Sequence, residues 1–473
     1  MAGEPPVGGI TTSPCLSLAV AKAGYFGTYF ALAAVQPYYG LFLAEKGFDP
    51  DAVGMVTAMM PICNLALLPL LSYVADRHRC NAHIAAAGVV LATVALLFAC
   101  VVRERWLVAL GIILHFVGSV PLAPFMDQHT MAMFPEDRRR EWGVVRSYGT
   151  YGWGIGAPFV ACLVWCFGWA SSGVVFAIGV VATLHCMYCG KPYDAVPPTE
   201  MRCVEVLMFI LQHKQLLVCW VAMCCMGMGY VIISTYLFIF LAELGAHPVL
   251  LGLSVTATVV IEIPLFCQSR WLLDRFTEVQ LMTAAMVAWV VRVLGYSVLH
   301  NPWLVLFLEP LHGFTFGAMW LAGVSLVQRC FPADLSSSSM GFLTVGMFGV
   351  GSILGNVMGG FLYGVLGARR MLRATALSMT VVCALFRICI AVCDWMVNYT
   401  EVADVVTIDG AEGGENGGGE RGVSEMDAVG PGQCVYPSSP SRCASCSVLF
   451  NVEMVQVEET AEGLALVEEA LRA

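Results

Sequence analysis

Long apolar blocks dominate this chain, and short polar breaks separate them. Twelve blocks stand out, at about 16–43, 52–75, 82–102, 106–127, 143–166, 171–189, 215–243, 250–272, 279–298, 303–327, 341–363 and 371–396. Each is about twenty residues or longer, the length that carries an α-helix across the ~30 Å hydrocarbon core of a bilayer. A soluble protein with this pattern would have to bury about a dozen apolar helices completely, with nothing left to cover them. The pattern predicts an all-α membrane protein of twelve transmembrane helices, numbered here as spans 1 to 12. The expected divisions are a short N-terminus (1–15), a six-helix bundle (16–189), a central loop (190–214), a second six-helix bundle (215–396) and a disordered tail (397–473).

Composition agrees with this class. Hydrophobic residues make up 58% and charged residues only 12%, where soluble domains carry about 25% charged. The net charge of −10 belongs to the tail: residues 398–473 hold 14 Asp and Glu against 3 Arg, so the chain before them is close to neutral. The acidity points to no basic partner, and no nucleic-acid partner is expected. The 20 cysteines scatter through the apolar blocks, as in MCCMGMG (223–229), where a free thiol acts as a small, soft hydrophobe. No disulfide framework, metal site or cofactor is expected. The tail has one C-x-x-C, Cys443 and Cys446, read as inert, and a weakly amphipathic stretch at 447–472. Rich in Gly, Glu and Ser, the tail cannot bury a core. The first 15 residues carry Glu4 and no basic n-region, so the first block is read as a retained span and not as a signal peptide.

Lys and Arg in the breaks set an orientation. Breaks after even-numbered spans hold Arg77, Arg79, Arg138, Arg139, Arg140, Lys191, Arg202, Lys214, Arg270, Arg275 and Arg329. Breaks after odd-numbered spans hold Lys46, Arg103, Arg105, Arg369, Arg370 and Arg373. This bias places both termini in the cytosol, with 369–373 as the dissenting group. The plasma membrane is the default location.

The two halves echo each other. Gly47, Pro50, Gly54 and the Asp76-Arg77 pair recur 198 residues later as Gly245, Pro248, Gly252 and Asp274-Arg275. Leu114-His115 recurs as Leu311-His312, and Gly149, Gly152 and Gly154 as Gly346, Gly349 and Gly351, at an offset of 197. A six-helix unit is thus duplicated with the same topology, related by an axis along the membrane normal. Such a pair faces itself across a space near the bilayer midplane, and rocking opens that space to alternate sides.

With this repeat, the chain resembles the major facilitator superfamily over its twelve spans. That superfamily carries the loop signature G-x-x-x-D-R-x-G-R-R/K after span 2. Here the loop reads SYVADRHRC, Ser72 to Cys80, in which Asp76, Arg77 and Arg79 are matched, Ser72 stands for the first glycine and His78 for the second. The resemblance implies a cytosolic gate at Asp76, Arg77 and Arg79, repeated at Asp274 and Arg275; ordinary positive-inside charge is the alternative.

Ionisable residues inside spans cost about 2.5–3.5 kcal/mol each on insertion scales and usually mark pathways. The candidates are Lys22, His115, Asp127, Arg146, Glu262, Arg292, Glu309, His312, Arg387 and Asp394. Asp127 on span 4 and Arg146 on span 5 are expected to pair and to offer acceptors and donors to a hydroxylated ligand. Trp153, seven residues after Arg146, shares its helix face and either stacks on a ligand ring or simply packs. In the second half Glu262, Arg292, Glu309 and His312 lie on spans 8, 9 and 10, with Glu309 and His312 at i and i+3. A carboxylate, an imidazole and a guanidinium converging there would relay protons; a packing histidine and a wet Glu309 are the alternatives. Lys22, Arg387 and Asp394 read as edge or structural charges, and His115 as a weaker cavity candidate.

Within the superfamily the pattern resembles the lactose permease and nucleoside permease group. Its span 5 carries R-x-x-G-x-x-G-W, matched by Arg146, Gly149, Gly152 and Trp153, and its spans 9 and 10 carry an arginine followed twenty residues on by Leu-His, matched by Arg292 and Leu311-His312. The resemblance implies sugar binding by Arg146 and Trp153 with a span-4 carboxylate near Asp127. It also implies proton coupling by Arg292 and His312, with Glu262 as the span-8 carboxylate. The departures are Thr315 where the group has its coupling glutamate and Glu309 where it has a lysine. The expected function is secondary active transport of a small polar solute, a sugar or a nucleoside, with protons, by a monomer in the lipid bilayer and not an enzyme. The rival reading is a receptor or scaffold of the same fold that no longer transports.

Overall fold

The structure is a computed structural model and describes residues 14–131, 133, 142–189, 203–331 and 336–412. Among these there is no β-strand. Twelve helical spans are long and apolar enough to cross a membrane: Leu18–Glu45, Pro50–Ala75, Asn81–Val101, Arg105–Met131, Trp142–Phe167, Ala170–Cys189, Lys214–Glu243, Pro248–Cys267, Glu278–Ser297, Pro302–Cys330, Ser339–Leu366 and Ala368–Trp395. The chain is therefore a multi-pass integral membrane protein, with the twelve-helix architecture its apolar blocks predict. The C-x-x-C and the amphipathic stretch of the tail lie at 413–473, outside the described residues, as do residues 190–202 of the central loop.

The differences have local causes. Span 1 is interrupted by a 3-10 turn at Gln36–Tyr38 that contains Pro37. Span 4 divides into Arg105–Ser119 and Leu122–Met131, on either side of Pro121. Proline lacks the N–H that a helix needs and crowds the preceding turn. Span 8 stops at Cys267, three residues after Pro264, and a separate short helix, Ser269–Arg275, follows. The expected central loop contains a helix at Cys203–Gln212, an apolar run whose Ile210 is buried and whose Phe209 ring lies 4.7 Å from that of Phe331. The last helix continues past span 12 to Glu412. Residues 397–412, expected to fall in the disordered tail, hold no proline and only Gly410, so nothing in their sequence stops it.

The halves meet along spans 2 and 11, 5 and 8, and 1 and 7. Small residues allow backbone to approach backbone, as in membrane helices generally. A Cβ at Gly252 would collide with the backbone of Pro158, and one at Gly40 with the carbonyl of Thr235. Pro158 leaves the Gly154 carbonyl without its helical donor. Thr256 of span 8 fills that gap from the opposite half, its hydroxyl donating to Gly154 O at 2.6 Å. Tyr236 donates to Pro50 O at 3.3 Å, and the Tyr38 and Phe238 rings lie 5.5 Å apart. Among the described residues these hydrogen-bonded contacts lie at the midplane or toward the end of the bundle away from the chain termini.

The repeat is exact in its contacts but not in its register. Gly149 packs on the Tyr29 ring; 198 residues later Gly227 packs on Met347, with the two partners exchanged. Gly152 and Gly156 pack on the carbonyls of Phe26 and Phe30, while Gly351 and Gly355 pack on those of Cys224 and Met228. Phe26 and Cys224 are 198 apart, yet Gly152 and Gly351 are 199 apart. One residue has been inserted in span 11, and the insertion is visible as a π-helical turn at Val345–Val350. Such turns accommodate single extra residues. The glycine equivalences at an offset of 197 are thus replaced by Gly152 with Gly351, and the position equivalent to Arg146 is Thr344, not Leu343.

Equivalent helix ends, capped by cations from non-equivalent loops, explain part of the dissenting charge. Lys46 Nζ donates to the carbonyls of Cys100 (2.6 Å) and Val102 (3.3 Å) at the end of span 3. Arg369 donates to those of Ser297 and Leu299, the equivalents 197 residues on. Each cation caps orphan carbonyls at a helix C-terminus, where charged hydrogen bonds contribute about 1.5–3 kcal/mol. Both have a structural reason to stand where they do, independent of orientation.

Candidate functional site

Span 4 restarts at Leu122 after its proline break, and this turns Asp127 inward, where it is 6% exposed. Arg146 sits one turn into span 5, and its Nε donates to Asp127 Oδ1 at 3.3 Å. Tyr25 of span 1 donates to the same oxygen at 2.8 Å and lies 2.7 Å from the Thr130 hydroxyl, which also accepts from Trp142 Nε1 at 3.1 Å. Arg146 Nη2 reaches the Tyr29 hydroxyl at 3.4 Å, and its guanidinium stands 5.6 Å from the Trp142 ring centre. The pair therefore does not snorkel apart. It is held in a network of three spans in which Arg146 and Tyr29 remain half-buried and accessible. Trp153 is half-buried against the apolar core, and it is the Trp142 ring that the Arg146 guanidinium faces.

In the second half Arg292 is fully buried and donates to His312 Nδ1, since a guanidinium can only donate. Its Nε and Nη2 have no partner among the described residues. Glu309 is 4% exposed, not wet, and accepts from the Tyr296 hydroxyl at 2.9 Å. The ring of Tyr296 lies 5.5 Å from the guanidinium of Arg292, so it stands beside both charges, which form no ion pair. His312 stacks on Tyr230 with ring centres 5.3 Å apart, and Phe316 and Phe348 extend this aromatic wall. Glu262 is half-buried on span 8 and has no hydrogen bond among the described residues; it stands within electrostatic reach of both Arg146 in the first half and Tyr230 in the second cluster. Of the four residues expected together, Arg292, Glu309 and His312 are joined through Tyr296 and Tyr230, and Glu262 stands near Tyr230 and Arg146 without a hydrogen bond to any of the three.

These clusters break the repeat. At the positions equivalent to Arg292, Tyr296 and Glu309 the first half has Ala95, Ala99 and Ile112, and at those equivalent to Asp127 and Arg146 the second half has Val324 and Thr344. His115, the equivalent of His312, is buried, bonds to Ala92 O at 3.0 Å and packs edge-on to Phe176, a structural role. Of the other charged candidates, Lys22 lies over the Tyr148 ring at 4.9 Å, and Asp394 accepts from Gln215.

At the expected gate Arg77, Arg79, Asp274 and Arg275 are all exposed. Arg77 donates to Tyr73 at 2.9 Å and Arg275 stands 5.8 Å from the Trp271 ring. Asp274 has no ion-pair partner among the described residues, and the side chain of Asp76 lies outside them. Arg79 has φ 50°, the left-handed conformation that closes the helix and that glycine favours. The second glycine of the loop signature therefore corresponds to Arg79, and not to His78.

The profile of the MFS_1 like family matches residues 18–374, across both clusters. The chain belongs to this family. It is a major facilitator transporter, and its relatives are transporters, not enzymes. The maltose permease of Geobacillus stearothermophilus is 23% identical over 350 residues, covering 72% of this chain and 86% of the permease. The probable 3-phenylpropionic acid transporter of Escherichia coli (strain K12) is 25% identical over 357 residues, covering 73% and 90%. In fold, the chain resembles the crystal structure of the nucleoside transporter NupG, with TM-score 0.69 and 16% identity over 80% of this chain and 99% of that one.

Several site residues of this major facilitator transporter were not found by reading charge. Tyr25, Tyr29, Tyr230 and Tyr296 sit within spans, and their hydroxyls or rings complete both clusters. A signal existed: tyrosines of membrane helices favour the interfacial belts, so tyrosines deep in spans 1 and 7 are out of place unless their hydroxyls are used.

Proposed function

We propose that this transporter carries a small hydroxylated or ring-bearing solute, a sugar or a nucleoside, between its halves, driven by protons. The observation that carries the reading is the asymmetry of a symmetric fold. Each half has a polar cluster that the other half replaces with apolar or small residues, which suits a division between recognition and coupling. In this reading Asp127 and Arg146, with Tyr29 beside them, present acceptor and donors to solute hydroxyls, and Trp153 offers a stacking face. Glu309, Arg292 and His312 handle the proton, and Glu262, facing Arg146, links the two clusters. Residues 16–189 and 215–396 act as the two rocking bodies, joined through 190–214, with the termini in the cytosol and Asp76, Arg77, Arg79, Asp274 and Arg275 at the cytosolic gate. The similarity to a maltose permease supports the sugar reading, and the similarity to a probable 3-phenylpropionic acid transporter makes aromatic acids the class that the test must separate from it.

The test is uptake by purified protein in proteoliposomes, over a panel of sugars, nucleosides and aromatic acids, with and without an inward proton gradient. Accumulation of a sugar or nucleoside only under the gradient is expected. Uptake of aromatic acids alone would overturn the solute class. No uptake of any solute by folded protein would favour a receptor.

Two further outcomes follow. Gly252→Val places a side chain against Pro158, where overpacking costs about 1–3 kcal/mol. It should drive the halves apart at the end remote from the termini. Spin labels at positions 165 and 247, whose side chains now meet at 4.8 Å, should show a longer distance by pulsed electron resonance; an unchanged distance would contradict rocking about this contact. The sequon Asn398-Tyr399-Thr400 should carry no glycan in eukaryotic cells, as read by a glycosidase mobility shift, because the proposed orientation keeps it cytosolic.

A further inference from the structure

A groove of about 520 Å³ runs between spans 9 and 12, lined by Gln280, Thr283, Ala284, Val287, Ala288 and Arg387. Arg387 is exposed on span 12, and no acid bonds to it among the described residues. Arginine within a span normally turns inward to a partner; this one opens on the outer surface of the bundle. Its neighbour Gln280 uses its side-chain oxygen to accept from Thr277 N at 3.0 Å in a capping box, so its amide N–H groups remain to donate. Ala284 and Ala288, one turn apart, keep the groove open. A cation and a free amide donor, with no acid to match them, line a slot between two membrane helices.

We propose that this groove binds the phosphate of an anionic phospholipid from the leaflet on the side of the chain termini. Arg387 lies about 5.5 residues past the middle of span 12, or ~8 Å toward that side. Half the hydrocarbon core is about 15 Å, so ~7 Å remain, the reach of an extended arginine side chain. The guanidinium meets the phosphate at the headgroup boundary, and the alanine-lined slot takes the upper acyl chain. Basic pockets between spans are where anionic headgroups bind.

The test uses the full chain in detergent, with dioleoylphosphatidylglycerol and dioleoylphosphatidylcholine as probes, read by native mass spectrometry and by thermal unfolding. Phosphatidylglycerol should be retained and should raise the Tm of the wild type, with phosphatidylcholine doing neither. Arg387→Gln should weaken phosphatidylglycerol binding at least tenfold and lose the Tm rise, while its Tm without lipid stays at the wild-type value. Arg387→Lys should keep part of the binding. Ala288→Phe, which fills the groove and keeps the charge, should also displace the lipid. Equal binding by wild type and Arg387→Gln, equal binding of both lipids, or an equal Tm rise with inorganic phosphate alone would overturn the proposal.

Discussion

Arg146→Ala is expected to abolish solute binding. The guanidinium is half-buried, shares Asp127 Oδ1 with Tyr25 and has Nη2 only loosely engaged with Tyr29, so it has donor capacity to offer a ligand. Removing one side of a buried, charge-assisted contact costs on the order of 2–5 kcal/mol, which is thirtyfold to several thousandfold in affinity. The variant also leaves Asp127 buried beside Tyr25 alone, which itself destabilises by about 3–5 kcal/mol. Two controls separate binding from folding. Arg146→Lys keeps the charge without the planar fork and should bind weakly while holding its Tm. The double variant Asp127→Asn with Arg146→Gln removes both charges and should recover stability but not binding. Isothermal titration with the solute identified by the uptake panel reads the effect. Wild-type affinity in Arg146→Ala would remove this residue from the site.

Glu309→Gln should uncouple the transporter. Glutamine can still accept from Tyr296 in the 2.9 Å contact, so the packing of spans 9 and 10 is kept and only the exchangeable proton is lost. Accumulation driven by a pH gradient should fall about a hundredfold, a change of ~2.7 kcal/mol, whereas exchange of labelled for unlabelled solute should continue near the wild-type rate. Arg292 supports this role: two of its buried nitrogens, Nε and Nη2, lack partners, a costly arrangement that an ionised Glu309 would relieve by moving toward it. An unchanged pH dependence in Glu309→Gln would remove Glu309 from the mechanism.

Much of this was readable from the chain, for definite reasons. Asp127 and Arg146 are conspicuous because charge inside an apolar block is rare and demands a partner, and the structure pairs them. The tyrosines around them carry no charge, so a search for ionisable residues inside spans passes over them; their depth in the spans is the signal that marks them. Trp153 stood out by its seven-residue spacing from Arg146 and its place in the R-x-x-G-x-x-G-W pattern, yet Trp142, four residues before Arg146, lies on the same helix face and is the ring the guanidinium faces. Long side chains in a helix lean toward its N-terminus, so the guanidinium reaches back to Trp142. Glu309 and His312 were expected to meet on one helix, yet each found a partner on spans 7 or 9, where side chains facing across a gap outcompete neighbours along a helix. The π-turn of span 11 leaves no mark in composition. The turn itself and the contacts of Gly351 and Gly355 with span 7 reveal the inserted residue.

The most direct measurement of the proposed division between recognition and coupling is proton movement caused by the solute itself. Proteoliposomes with equal pH on both sides receive the identified sugar or nucleoside, and a dye reads the external pH. Solute entry should alkalinise the medium with wild-type protein, should leave pH unchanged with Glu309→Gln although solute still exchanges, and should do neither with Arg146→Ala. Solute entry through the wild type with no change in external pH would contradict proton coupling through the second half.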